Sequence, residues 1–305
     1  MTATKVIKSS IKFVHSLVNY FIIVIILFLI AFAGYALWDS NQVYQSASKS
    51  QYALYKPSVE NEGKSFKELQ GINDEVIAWL TVFGTNIDYP VTQSTNNMKY
   101  VNTNAEGAYS LSGAIFLDSS NSKDFTDFNS IFFGHHMEKR TMFGEIDLFR
   151  DAEKFDSHRY GNLYFNEQDH GIEFFAFVHA DAYDREIFAA NVQGKEAQEQ
   201  YLRYILDNAT HTRDIGITIN DRIVLLSTCS SSSTNGRDIL IGRLTGNTYE
   251  DTFANMSVDN SLQIKNTADS NFFVKQTKIW LPALIILLFL IILIVWLLLK
   301  RKKAR

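Results

Sequence analysis

The residue best suited to covalent chemistry is Cys229, the only cysteine among the 305 residues. It ends the apolar run Ile223-Val224-Leu225-Leu226-Ser227-Thr228-Cys229, and a run of serines follows it. Because no second thiol exists in the chain, Cys229 is either an inert core residue or a nucleophile. A structural cysteine usually lies inside a strand, whereas Cys229 lies where a predicted strand gives way to a polar stretch. Its position favours nucleophilic chemistry.

Two other strand ends carry side chains that could assist a thiol. The thiolate is the nucleophilic form, so Cys229 needs a base or a cationic partner, and the candidates are His135 and His136. Acyl transfer also creates an oxyanion, which requires hydrogen-bond donors already in place. Arg237 opens the next predicted strand, so an antiparallel hairpin would return it close to the thiol. The sequence therefore predicts three strand ends that converge on one site.

The remaining histidines do not extend this pattern. Adjacent His135 and His136 could suggest zinc, but a zinc site needs further ligands at suitable spacing, and the sequence offers none. We therefore predict neither a metal nor a cofactor. Four scattered histidines are interpreted as structural or surface residues: His158, His170, His179 and His211.

Short segments rich in Ile, Val, Phe and Tyr, separated by Gly, Asn, Asp or Ser turns, predict a mainly β fold. Eight strands are expected, at 76–82, 86–91, 113–118, 130–135, 161–166, 171–181, 222–228 and 237–244. Peripheral helices are expected at 42–55, 66–70, 142–155 and 195–208. The pattern favours an eight-stranded barrel.

The charge distribution divides the chain into three parts. Residues 1–38 carry three Lys and no acid, and residues 279–305 carry five Lys or Arg and no acid. The middle section holds all 33 acidic residues and 21 Lys or Arg, a formal charge of −12. This acidity argues against a nucleic-acid partner.

Each basic end adjoins an apolar run of about 20 residues, long enough to cross a bilayer. The runs are 17–38 and 280–299. Because Lys and Arg collect on the cytoplasmic side, we expect two transmembrane helices, both termini inside and residues 39–278 outside. Ala31-Phe32-Ala33 resembles a signal-peptidase site, but the apolar stretch is long for a cleaved signal. The C-terminal run resembles a cell-wall sorting signal but lacks the required upstream pentapeptide, so a permanent second anchor is favoured.

The nucleophile candidate lies in the motif Leu226-Ser227-Thr228-Cys229, which is followed by Gly236-Arg237. In these residues the chain resembles the sortases, membrane-anchored cysteine transpeptidases of Gram-positive bacteria. It matches their Thr-x-x-Cys and arginine motifs in part, with Leu226 in place of the usual threonine. The resemblance is closest to class B and covers about residues 40–250. Longer stretches carry it: Asn86-Ile87-Asp88-Tyr89-Pro90-Val91, Gly113-Ala114-Ile115-Phe116-Leu117-Asp118, Gly134-His135-His136-Met137 and Met142-Phe143-Gly144.

The resemblance implies a role for each site residue. Cys229 is expected to be the nucleophile, His135 the general acid and base, and Arg237 the group that binds the oxyanion and positions substrate. His136 occupies a position that varies in the family, so it is the weaker histidine candidate. Ser227 lines the substrate groove by analogy, or is simply a strand-end hydroxyl.

Charge, apolar runs and the resemblance together give a domain plan: a basic cytoplasmic segment 1–16, a span 17–38, a helical segment 39–75, the catalytic barrel 76–250, a linker 251–279, a span 280–299 and a tail 300–305. The expected substrates are secreted proteins with a C-terminal sorting signal. The expected acceptor is an amine, from a pilin lysine or a peptidoglycan precursor.

Some features depart from the class B pattern. A serine run replaces the acidic residue that often follows the cysteine. A C-terminal membrane helix is more typical of class C pilin polymerases, but residues 39–75 lack their Asp-Pro-aromatic lid. The sequence also bears on two other classes of protein. A catalytically inactive adhesion or sensor domain is disfavoured by the three polar residues, and a papain-like hydrolase is disfavoured because its cysteine begins a helix.

Overall fold

The computed structural model describes residues 3–57, 64–137, 139–229 and 235–254. The chain divides into two units, residues 1–251 and 252–305, and the described part of the second is limited to 252–254. The predicted span 280–299 and the tail 300–305 lie outside the described residues, as does nearly all of the predicted linker 251–279.

The chain begins with one long helix. Helix α1 runs from Ala3 to Ser46, well beyond both ends of the predicted span 17–38. Among the described residues it is the one helix that is long and apolar enough to cross a membrane, over Ile7–Ser46. Membrane anchors and signal sequences share this length and composition. The large apolar side chains along the helix are exposed, as the lipid-facing side chains of a membrane helix would be.

Within the described residues, nine strands form a single sheet in the order β5-β1-β2-β3-β4-β8-β9-β6-β7, and β5 also pairs with β6. That pairing closes a ring of eight strands, which confirms the predicted barrel, and β7 extends it at β6. The strands are β1 Val76–Val82, β2 Asp88–Thr92, β3 Ile115–Leu117, β4 Asn129–Gly134, β5 Tyr160–Phe165, β6 Gln168–Asp181, β7 Ala209–Thr212, β8 Arg222–Cys229 and β9 Gly236–Thr245.

Strand β7 is the strand that the sequence pattern did not indicate. Its four residues alternate between half-buried and exposed, and the segment Ala-Thr-His-Thr contains no large aliphatic side chain. It pairs only along part of β6, so pairing rather than hydrophobic patterning defines it.

Two predicted helices are interrupted by residues that form caps. The predicted helix 42–55 is divided into the end of α1 and two 3₁₀ turns, because Ser48 is extended and its side chain accepts a hydrogen bond from Ser50 N. The predicted helix 142–155 is divided into a 3₁₀ helix, Ile146–Arg150, and α3, Ala152–Ser157. Asp151 separates them, because its extended backbone ends one helix while its carboxylate caps the next.

The two faces of the central strands build two cores. Alternate residues of β4, β8 and β9 point into the barrel, where Phe132, Leu226 and Leu240 join one buried cluster. The residues between them, including Ile131 and Leu225, point outward into a second cluster. Helix α4, Lys195–Asn208, covers that outer face with Tyr201, Leu202 and Ile205. Helix α2, Lys64–Ile72, packs near β1.

Candidate active site

Three neighbouring strands bring the predicted site residues to one edge of the barrel. Strands β4 and β8 run parallel with Gly134 opposite Thr228, so the register places His135 beside Cys229. Strands β8 and β9 run antiparallel, and Cys229 is directly opposite Arg237. The hairpin therefore returns Arg237 to the cysteine as expected. Position 229 lies between His135 on one side and Arg237 on the other, with neighbouring strands about 5 Å apart.

A groove of about 300 Å³ lies along this edge. Its lining combines polar residues at strand ends with apolar and aromatic residues. The lining residues are Asn97, Val101, Phe116, Phe133, Gly134, His135, Ser227, Thr228 and Arg237. The rings of Phe116 and Phe133 lie 5.5 Å apart, centroid to centroid. Such a mixture of aromatic walls and a few polar groups is typical of sites that bind extended organic ligands.

Hydrogen bonds hold both the side chain and the backbone of His135. Its ring Nε2 donates to the carbonyl of Val101 at 2.8 Å, and its own carbonyl accepts from Phe143 N at 3.0 Å. Because a carbonyl can only accept, Nε2 carries a proton and Nδ1 is the nitrogen that can gain or lose one. Next to Val101, burial raises the pKa of Tyr100, so its hydroxyl stays protonated and donates to the Glu75 carboxylate. This contact fixes the short 3₁₀ helix Lys99–Val101.

His136 has different surroundings, although it follows His135 directly. Its Nε2 lies 3.2 Å from Asp147 Oδ2, and its backbone forms an isolated bridge with Met142. It is not among the residues that line the groove. The two candidate histidines are therefore separated by the structure: one faces the groove, and the other is paired with a carboxylate.

Arg237 and Ser227 both lie on the groove. Arg237 is half-buried, and its Nη1 donates to the Gly236 carbonyl at 3.0 Å. Ser227 is 1 % exposed, and neither its Oγ nor the Oγ1 of Thr228 has a hydrogen-bond partner in the described part of the chain. Burying a hydroxyl without a partner is unfavourable, so a ligand that bonded these groups would be stabilised by them.

Residues beside this site were not predicted from the sequence. Asp238 is fully buried and bonds Arg150 and His179, and Asp147 pairs with His136. His179, interpreted above as structural or surface, thus contacts the residue next to Arg237. The alternation of residues in β9 could have identified Asp238. Position 238 falls on the same face of the strand as Leu240, which places an acidic residue inside the barrel.

Comparison with known proteins agrees with this geometry. No protein-family profile matches the chain. The chain is 27% identical over 209 residues to sortase B of Listeria monocytogenes, covering 67% of this chain and 85% of that protein. It is 44% identical to sortase B from the type II pilus of Streptococcus pneumoniae, covering 60% of this chain and 99% of that structure, with a TM-score of 0.53.

A second solved structure has a comparable level of similarity to this chain. The chain is 39% identical to a Streptococcus pyogenes class B sortase involved in pilus biogenesis, covering 60% of this chain and 99% of that one, with a TM-score of 0.55. Both structures are matched over almost their whole length. The chain therefore belongs to the class B sortases, and it is a cysteine transpeptidase.

Proposed function

We propose that this chain is a membrane-anchored sortase that cleaves the C-terminal sorting motif of a secreted protein and joins the new carboxyl end to a pilin lysine. The observation that carries the proposal is the register of β4, β8 and β9, which puts position 229 between His135 and Arg237, two residues that line the groove. The pilin acceptor is supported by the two structural relatives at 44% and 39% identity, which are described as pilus sortases.

Each residue has one role in this proposal. The Cys229 thiolate attacks the scissile carbonyl, and the guanidinium of Arg237 donates to the oxyanion. Protonated His135 gives a proton to the leaving amine as the C–N bond breaks, which leaves a thioester on Cys229. The incoming amine attacks the thioester, His135 accepts a proton from it, and the thiolate leaves. His135 thus acts first as an acid and then as a base.

The groove supplies binding as well as chemistry. Ser227 Oγ is buried without a partner among the described residues, so it can donate to a backbone carbonyl of the sorting peptide. The aromatic floor made by Phe116 and Phe133 suits apolar side chains of the same peptide. Helix α1 supports anchoring, since it is long and apolar enough to hold the enzyme where secreted substrates leave the membrane.

A competing acceptor is the amine of a peptidoglycan precursor, which would make the enzyme an anchoring sortase. The two acceptors can be compared directly on the full-length protein in detergent. A lysine side-chain amine presented in a pilin-like peptide and a peptide amine of the peptidoglycan type are each added to the acyl-enzyme. Under our proposal the lysine acceptor gives the larger ligated yield at equal concentration. A preference for the peptidoglycan amine would assign the enzyme to anchoring.

The test of transpeptidation uses a library of C-terminal sorting peptides with the full-length protein. A sortase holds its thioester until an amine arrives, so we expect slow consumption without amine and a ligated product that grows with amine concentration. Mass spectrometry measures the ratio of ligated to hydrolysed product. Hydrolysis that stays dominant at saturating amine would indicate a protease instead.

Three variants accompany this test. Cys229→Ala removes the only thiol and should abolish both the thioester and the product. His135→Ala should abolish turnover, whereas His136→Ala should retain measurable ligation because His136 faces Asp147 rather than the groove. If the parent gave no more ligated product than the Cys229→Ala background, an inactive adhesion or sensor domain would be favoured instead. Loss of turnover in His136→Ala alone would reverse the histidine assignment.

A further inference from the structure

A buried carboxylate lies immediately beside Arg237 in β9. Asp238 is fully buried, and Arg150 donates to it through Nε at 3.1 Å and through Nη2 at 3.0 and 2.7 Å. The ring of His179 adds a contact at 2.9 Å. Because strand neighbours point to opposite faces, Asp238 enters the barrel while Arg237 lines the outer groove. A carboxylate that is buried away from solvent is unfavourable unless charged or hydrogen-bonding partners surround it. The contact with Arg150 therefore fixes the start of β9.

A second contact reaches the strand that carries His135. Asp147 lies three residues before Arg150 in the 3₁₀ helix Ile146–Arg150, and its Oδ2 is 3.2 Å from the ring of His136. Side chains three residues apart in a 3₁₀ helix lie above one another, so both reach the same side. One five-residue helix therefore contacts the residue after His135 and the residue after Arg237.

This 3₁₀ helix is itself firmly placed. Ile146 and Phe149 are fully buried in the barrel core. At its start, the Glu145 carboxylate accepts from Asn86 N at 2.6 Å and Asn86 Nδ2 at 3.0 Å. At its end, the carbonyl of Arg150 contacts the ring of His211 at 2.6 Å. Contacts with three other segments make this helix a fixed reference for the strands beside it.

We propose that the 3₁₀ helix Ile146–Arg150 is a bracket that sets the separation of His135 and Arg237 across β8. Asp147 and Arg150 are its positioning residues, acting through His136 and Asp238. The roles of His135 and Arg237 rest on the proposed function above. His135 directly follows β4 and Arg237 lies in β9, and these two strands flank β8, so the bracket controls a gap of about 10 Å in which the Cys229 position is central.

The test changes each end of the bracket in the full-length protein. Asp147→Asn removes the charge that faces His136, and Arg150→Lys keeps a positive charge but loses the two-pronged contact with Asp238. The matched control is Arg159→Lys. Arg159 binds the buried Glu173 in the same way, through Nε at 3.0 Å and Nη2 at 2.6 Å. Glu173 is opposite Arg243, about 20 Å along β9 from Arg237.

Two measurements are made on each variant, with thermal unfolding to confirm that it is folded. The first is the rate at which iodoacetamide alkylates Cys229 at pH 7, which depends on thiolate stabilisation by its neighbours and needs no substrate. Since Cys229 is the only cysteine, alkylation reports on this position alone. The second is the split between kcat and KM for a sorting peptide that the parent converts.

We expect Asp147→Asn and Arg150→Lys to lower both the alkylation rate and kcat by about 10-fold, with KM changed less than about twofold, since small misplacements of catalytic groups act on the chemical step. Arg159→Lys should match the parent. Alkylation rates and kcat values within twofold of the parent in both bracket variants would overturn the proposal. A loss of activity no larger than the fraction of unfolded protein would also overturn it. If Arg150→Lys does not fold, Asp147→Asn decides. If the parent converts no peptide, the proposed function fails while alkylation still tests the bracket.

Discussion

At the scale of single residues, the two residues that follow Gly236 in β9 have opposite environments. Arg237 points to the groove and is half-buried, whereas Asp238 points into the barrel and is fully buried. Under the proposed function the guanidinium on the groove reaches the developing oxyanion, while the carboxylate on the inside is held by Arg150 and His179. Strand alternation achieves both with adjacent residues.

Replacing Arg237 by lysine tests whether its planar set of donors is needed. Arg237→Lys keeps the positive charge but loses the fork, so we expect kcat/KM to fall by roughly 100-fold or more if the oxyanion is bound there, by comparison with the loss of one oxyanion donor. Steady-state kinetics with a sorting peptide and an amine measure this change. Near-normal turnover in Arg237→Lys would show that the arginine serves another role.

At the scale of elements, the segment after β4 sets where His135 can lie. Gly134 ends the strand, and a Cβ added there would lie 2.7 Å from the ring of Phe143. Phe143 is fully buried, and its N–H donates to the carbonyl of His135. Burial also raises the pKa of Tyr89 to about 12, so its hydroxyl remains a donor to Ala47 O, and it accepts from Met142 N next to Phe143.

A methyl group at position 134 should therefore disturb both packing and catalysis. We expect Gly134→Ala to lower the free energy of unfolding by about 1–3 kcal/mol through overpacking. It should lower turnover by about 10-fold or more through displacement of His135. Gly71→Ala is the matched control, because no atom lies within 4 Å of a Cβ built there in α2. It should be neutral or stabilise by about 0.5 kcal/mol. Denaturant unfolding and ligation assays test both, and normal activity of Gly134→Ala would contradict this account.

At the scale of the whole molecule, the end of helix α1 packs against the domain that contains the barrel. Ser46 at its end lies 3.3 Å from Ser110 and 3.5 Å from Ser112, measured between hydroxyl oxygens. Ala47 is fully buried, and its carbonyl accepts from Tyr89. The apolar helix and the catalytic domain are therefore joined by a packed contact at residues 46–47.

The proposed topology is tested by labelling single cysteines in protoplasts with a membrane-impermeant reagent. In a Cys229→Ala background, Asn61→Cys and Asn260→Cys should be labelled from outside, because acidic residues fall only between the two basic ends. Thr4→Cys and Ala304→Cys should be labelled only after permeabilisation, which also serves as the control for reactivity. Labelling of Ala304→Cys from outside would contradict the two-span prediction.

Local patterns in the sequence were sufficient for much of this protein. Hydrophobic runs bounded by turn residues predicted the eight strands of the barrel within a few residues, because strand patterning depends on near neighbours. The lone thiol at a strand end, together with His135 and Arg237 at two others, predicted which residues converge. The helical period likewise predicted α4 as observed, from Lys195 to Asn208.

Only the tertiary structure decided the rest, because the deciding contacts join distant segments. The family resemblance already favoured His135 over His136, but the contacts that give the two rings different surroundings were not readable from the sequence: Val101 lies 34 residues before His135 and Asp147 lies 11 residues after His136. The break at Asp151 depended on a capping bond that competes with helix continuation, which periodicity does not register. The ion pair of Arg150 with Asp238 spans 88 residues, and no local pattern links two such charges before the chain is folded.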